Sequence, residues 1–144
     1  MSQLSIQGVS RTFTSEKGKS TQALLPVDFD VKENDFVTIL GPSGCGKSTM
    51  LRIVAGLDHP TSGRVLLDGR PVEGPGADRG MVFQSYTLFP WLTIEQNIRF
   101  GLRERGMPES QQKERAQYFI AKVGLRGFEQ HFPKQLSGGM QQRT

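Results

Sequence analysis

Cysteine is almost missing from this chain: Cys45 is the only one in 144 residues. An internal disulfide is thereby excluded, and with it the disulfide-stapled class of small secreted domain; a reducing compartment is the expectation. Long hydrophobic runs are missing too, the longest reaching about five residues where ~20 are needed to cross a bilayer. The opening residues, MSQLSIQGVSRTF, lack a charged start followed by an apolar block, so no secretory signal is expected. Nor is there a basic run with interleaved aromatics, despite a formal net charge of +4. Arg99, Arg103 and Arg105 alternate with Glu104, and Lys113 and Arg115 flank Glu114. That pattern describes a solvated mixed-charge surface and gives no reason to expect a nucleic-acid partner.

What the chain has in quantity is glycine, 17 residues, beside eight prolines. A helical bundle would not tolerate so many, and they point to frequent turns and at least one glycine-rich loop. The length suits one domain, and 35% hydrophobic with 22% charged residues describes a globular, water-soluble class.

Periodicity supplies a coarse layout. Leu4, Ile6 and Val9 suggest one strand, and Val27, Phe29 and Val31 a second with period two. Lys32–Asp35 is a turn signal, and Phe36–Leu40 (FVTIL) reads as a strand covered on both faces. Met50, Ile53, Val54 and Leu57 then fall at helical spacing, with Gly56 as the stop. RVLLDGRPV reads as strand, turn at Asp68-Gly69 and brief return, and Gly80–Gln84 (GMVFQ) as a further short buried strand. From Pro90 onward the pattern turns helical. Thr93 caps a helix with Ile94 and Ile98 on one face. A second helix runs from about Pro108 to Val123 on a stripe of Ala116, Phe119, Ile120 and Val123, and Gly124 ends it.

Between FVTIL and the first helix stands GPSGCGKST, Gly41 to Thr49, which matches G-x-x-x-x-G-K-[ST]. Gly41, Gly44 and Gly46 let the backbone wrap a phosphate without Cβ clashes. Pro42, Ser43 and Cys45 fill the loop, and successive N–H groups aim inward at the positive end of a helix. Lys47 is placed to reach β- and γ-phosphates, Ser48 to put its hydroxyl on Mg²⁺, and Thr49 follows in the same turn. Cys45 reads as a small filler whose position in the loop makes its alkylation a probe of occupancy.

Three further features, with that loop, resemble the ATP-binding subunit of an ABC transporter. LSGGMQQR, Leu136 to Arg143, is similar to the family's signature motif, with Met140 where Gln is commoner; Gln84 falls at the Q-loop position; Phe13 falls at the adenine-stacking aromatic. The resemblance implies an α/β fold: a P-loop NTPase core of ABC type, with an N-terminal antiparallel β part and a partial helical subdomain. It divides the chain at 1–88 and 89–144. It implies ATP and Mg²⁺ as ligands, with Ser48 and Gln84 at the metal. It also implies a homodimer in which Ser137, Gly138 and Gly139 grip the nucleotide held by the second ATPase subunit. Each residue has a plain alternative: Ser137 as a simple helix cap, Gln84 as a surface carboxamide, Phe13 as strand core.

GADRGMVFQSYTLFPWLTIEQNI further resembles ATPases of importers for nitrate, sulfonates, taurine and similar small solutes. In that family the segment after the Q-loop meets a membrane permease subunit, so Phe89 and Trp91 are expected to be exposed and to dock there, packing within the chain being the alternative. A periplasmic solute-binding protein would act only indirectly, and the location implied is the cytoplasmic face of the membrane. The family's Mg²⁺-binding Asp, catalytic Glu and switch His follow the signature, so the chain is expected to be a C-terminally truncated piece, inactive alone. Asp68 in VLLD imitates the metal-binding Asp but precedes the signature and enters a turn; His59 and His131 precede it as well. The rivals are an ABC-type ATPase unconnected with transport and a short non-catalytic ATP-binding module.

Overall fold

A computed structural model describes residues 3–85 and 87–144. They form two compact units, Met1–Val82 and Phe83–Thr144.

In the first unit, β1 (Gln3–Thr14) and β2 (Ser20–Lys32) make a long antiparallel hairpin in which Leu4 faces Val31 and Ile6 faces Phe29. The expected alternation is the one the strands use: Ile6 is buried, and Leu4, Val27 and Phe29 pack against the same core. Both strands outrun their apolar residues. A register shift between Ile6 and Val9, with Gly8 at φ 57°, carries β1 on to Thr14. β3 (Ser62–Leu67) pairs antiparallel with the other edge of β1. The two-residue β4 (Arg70–Pro71) completes the order β2-β1-β3-β4, after the expected turn at Asp68-Gly69.

Helix α1 (Lys47–Val54) lays Met50 and Ile53 among Ile6, Val9, Leu24 and Val65. At ~1.5–3 kcal/mol for each large side chain fully buried, these two hold most of the helix to its sheet. Beyond it, the Gly56 N–H donates to Ile53 O (3.0 Å) and the Leu57 N–H to Arg52 O (2.8 Å), a glycine-dependent closure at φ 74°. Leu57, expected on the apolar stripe, lies past that closure and is exposed.

The two apolar runs expected as buried strands are not strands. Phe36–Leu40 and Gly80–Gln84 are irregular, and Phe36, Leu40 and Val82 are 95%, 87% and 85% exposed. A continuous apolar strand is stable only where neighbours take its N–H and C=O groups and cover both faces. Among the described residues no strand pairs with either run, and the sheet that does form is wholly antiparallel.

In the second unit, α2 (Ile94–Glu104) opens behind Thr93 with a reciprocal cap: the Gln96 N–H donates to Thr93 Oγ1 (3.3 Å) and the Thr93 N–H to Gln96 Oε1 (2.8 Å). Helix α3 (Glu109–Lys122) follows Pro108 and stops before Gly124, as expected. A 3₁₀ turn (Pro133–Gln135) leads to α4 (Gly138–Arg143). Ile94, Ala116, Ile120, Leu125 and Leu136 form this unit's core. Phe119 was expected among them but is half exposed, edge-on to Tyr118 at 5.2 Å. Ala116 and Ile120 set the buried line of α3, and Phe119 stands about 100° round the helix from Ile120.

Candidate functional site

The first unit contains the phosphate-loop sequence. After β2 the backbone passes through an irregular loop, Gly41 to Gly46, with Gly44 and Gly46 at φ 83° and 97°. Gly46 is the N-cap of α1 and is buried; a Cβ there would run into the Ala23 carbonyl oxygen and the Leu24 side chain. A Cβ on Gly41 would meet Cys45 Sγ. The loop is therefore wrapped as tightly as glycine permits.

No side chain among the described residues caps α1, and its first turn carries no acidic residue. Its leading N–H groups are left for a ligand, at the positive end of the helix. Lys47 folds back into the loop: Nζ donates to Gly41 O and Pro42 O, both at 2.7 Å, and lies 3.7 Å from Cys45 Sγ. Neutral carbonyls leave its charge uncompensated, and among the described residues no carboxylate forms an ion pair with it. An ammonium with no counter-charge, in a loop at an uncapped helix N-terminus, suits a polyanion. Pro42, Ser43, Cys45 and Ser48 are exposed and Thr49 is half-buried. Ser48, next to Lys47 in sequence and exposed, offers a hydroxyl of the kind that fits a hard cation accompanying phosphate.

Phe13 is on β1 of this same unit and is 45% exposed, so it is not core. It faces Thr21 across the hairpin, and Ala23, against which Gly46 rests, is two residues further along β2. Two strand residues span about 6–7 Å, a spacing that one nucleotide can bridge between base and phosphates. The Arg11 guanidinium stands over the Phe13 ring, 4.5 Å from its centroid, and Arg11 Nη2 bonds Asp58 Oδ1 at 2.8 Å. Neither contact was visible in the sequence.

The second unit contains the remaining sequence-identified residues. Gln84 is exposed on irregular backbone. Ser137 caps α4, its Oγ accepting the Met140 N–H at 3.4 Å, while Gly138 is half-buried and Gly139 exposed. Three residues at the end of the signature run, given no individual role from the sequence, tether this short helix. Gln141 Nε2 donates to Pro133 O and Leu136 O at 2.9 and 3.1 Å, and Gln142 Nε2 to Phe83 O at 3.2 Å, the residue before Gln84. Arg143 donates to Val123 O at 2.6 Å and to Gly139 O at 3.2 Å. The only sequence signal was the unbroken polar run Gln141–Arg143, three long donor side chains that between them reach five carbonyl groups.

The Leu-Phe-Pro-Trp run divides in two. Trp91 is 69% exposed, as expected. Phe89, expected beside it, is half-buried on Phe100 at 4.5 Å. Asn97 holds it there: Oδ1 accepts the Phe89 N–H and Nδ2 donates to Phe89 O. Asp68 accepts the Gln3 N–H in its turn, and among the described residues no three His, Cys, Asp or Glu side chains converge on a metal site. No described helix is long and apolar enough to cross a membrane.

Comparison with known proteins gives a consistent picture. Residues 24–144 match the family model described as ABC transporter. An uncharacterized ABC transporter ATP-binding protein of Methanocaldococcus jannaschii is 54% identical over 98% of the chain and 52% of its own length. The nitrate import ATP-binding protein of Synechocystis is 48% identical over 98% of the chain and 53% of its own. The taurine import ATP-binding protein of Burkholderia pseudomallei is 49% identical over the whole chain and 55% of its own. The chain thus spans about half the length of these relatives. Among solved structures, a dimeric ATP-binding cassette bound to ADP and phosphate in a post-hydrolysis state superposes with a TM-score of 0.85. It is 35% identical, and the match covers 97% of this chain and 66% of that one.

Proposed function

The chain belongs to the ABC transporter family, and on that premise we propose that it is the nucleotide-gripping part of an ATP-hydrolysing importer subunit, serving nitrate, sulfonate, taurine or a similar small solute. The observation that carries the proposal is the uncompensated Lys47 ammonium in the Gly41–Thr49 loop at the uncapped N-terminus of α1. On binding, Lys47 exchanges its carbonyl partners for β- and γ-phosphate oxygens, and the loop N–H groups and helix terminus take the remaining charge. Phe13 offers its ring to the base. Ser48 would hold Mg²⁺, which supplies neutralisation of the phosphate charge.

Ser137, Gly138 and Gly139 act on a second copy: the turn they form grips the nucleotide seated in the partner's phosphate loop. The dimeric cassette with ADP and phosphate supports this arrangement, as that protein's state. The import names of the nitrate and taurine relatives support the solute class. Trp91, exposed and braced by Phe89 at 5.6 Å, is the residue that meets the membrane permease, with the solute-binding protein acting at one remove. Residues 1–144 hold ATP on this reading.

Cys45 provides the test. It is exposed within the loop, so a maleimide should modify it, and Mg-ATP should slow the reaction severalfold. Equal modification rates with and without Mg-ATP contradict the site.

A further inference from the structure

Arg11 is an odd residue to find at the centre of a small β unit. Its side chain is about three-quarters covered, and it is spent on one ion pair and one ring face. Asp58, beyond the Gly56 stop of α1, is 18% exposed at its side chain and fixes Arg11 Nη2 at 2.8 Å. The guanidinium so fixed lies over Phe13, which still leaves 45% of that residue open to solvent. The ion pair thus joins the segment just after α1, the helix that follows the phosphate loop, to the strand that carries the aromatic ring. Its geometry also settles which ring face is available. A cation on one face draws π-density toward itself, and the opposite face becomes a better partner for an electron-rich heterocycle.

We propose that Arg11, anchored by Asp58, is a positioning residue for nucleobase recognition: it braces the Phe13 ring from behind and presents the free face as a platform for a purine. The inference rests on the nucleotide reading above and deepens it, assigning base affinity to a three-residue stack and phosphate affinity to the loop.

The two contributions separate experimentally, because inorganic tripolyphosphate engages a phosphate loop but has no base. Displacement of a fluorescent ATP analogue from the 144-residue chain by Mg-ATP and by Mg-tripolyphosphate measures both. Phe13→Ala should weaken ATP by about 5- to 150-fold, the range for losing one base–aromatic stack. Arg11→Gln should weaken ATP about two- to fivefold, the range for a partly exposed cation–π contact. Both should leave tripolyphosphate within twofold of the unsubstituted chain, which also shows that the loop is still folded. Arg11→Lys, which keeps the cation, should recover part of the loss, and Arg11→Gln added to Phe13→Ala should cost nothing more.

Equal weakening of ATP and tripolyphosphate by Arg11→Gln would reduce Arg11 to a fold-holding residue and overturn the proposal. Additive losses in the double variant would do the same. If neither ligand displaces the analogue, the nucleotide site itself fails and the platform falls with it. If both bind and ATP is no tighter, the platform alone fails.

Discussion

Two glycine-rich segments open helices in this chain, and they are built in opposite ways. Gly41–Thr49 leads into α1 with no side-chain cap, two residues at positive φ and a lysine turned onto its own loop carbonyls. Ser137–Gly139 leads into α4 with a serine cap, no positive φ, and three successive side chains bonded to carbonyls of other segments. The first leaves donors and charge unsatisfied and keeps its shape through glycine geometry. The second satisfies its own backbone and keeps its place through tethers. A site that must enclose a polyanion needs the first construction; a turn presented to something else needs only the second. The pair teaches that glycine content alone does not mark a binding loop. What marks it is the donors that the fold leaves unused.

Substitutions that break one construction should spare the other. The largest effect is expected for Gly46→Ala. A left-handed conformation costs a β-carbon about 1–2 kcal/mol, and the overlap with the Ala23 carbonyl and Leu24 adds about 1–3 kcal/mol. Urea unfolding should show the sum. Its counterpart Gly139→Ala has nothing within 4 Å of the new carbon and no positive φ, so stability should hold or rise by up to ~1 kcal/mol. Next comes Lys47→Ala, which removes a charge-assisted contact of about 1.5–3 kcal/mol and should weaken ATP roughly 10- to 150-fold with little change in unfolding. Ser137→Ala should cost about 0.5–2 kcal/mol, the usual loss of a helix cap, and leave ATP affinity of the isolated chain unchanged. Smallest is Gln142→Ala. One exposed bond to Phe83 O is lost, and amide exchange should quicken about two- to tenfold in the segment around Gln84 while the Ile94–Ile120 core stays as it was.

What could be read from the sequence follows the range of the interaction responsible. The stop of α1, the start of α2 and both ends of α3 were legible because Gly56, Thr93, Pro108 and Gly124 act on backbone groups within a few residues. The phosphate loop was legible for the same reason, its residue pattern lying within nine residues, although the fit of Gly46 against Ala23 and Leu24 was not. The strands FVTIL and GMVFQ were misread because an apolar run states only a preference for burial. Whether it pairs depends on a neighbour supplied from elsewhere in sequence, and none of the described strands is that neighbour. The Arg11–Asp58 pair and the Gln142–Phe83 bond were invisible on the same ground, joining residues far apart in the chain. Phe89 is a finer case: its exposure was decided by Asn97, eight residues on, whose carboxamide bonds both its N–H and its carbonyl.

The central claim is that Gly41–Thr49 is a preformed polyanion receptor and that Ser137–Gly139 in the isolated chain is not. Hydrogen–deuterium exchange of the 144-residue chain, with and without saturating Mg-ATP, addresses both halves at once. The account predicts protection of the amides from Gly41 to Thr49, abolished by Lys47→Ala, and no change at Ser137–Gly139. Unchanged exchange at Gly41–Thr49 would contradict it.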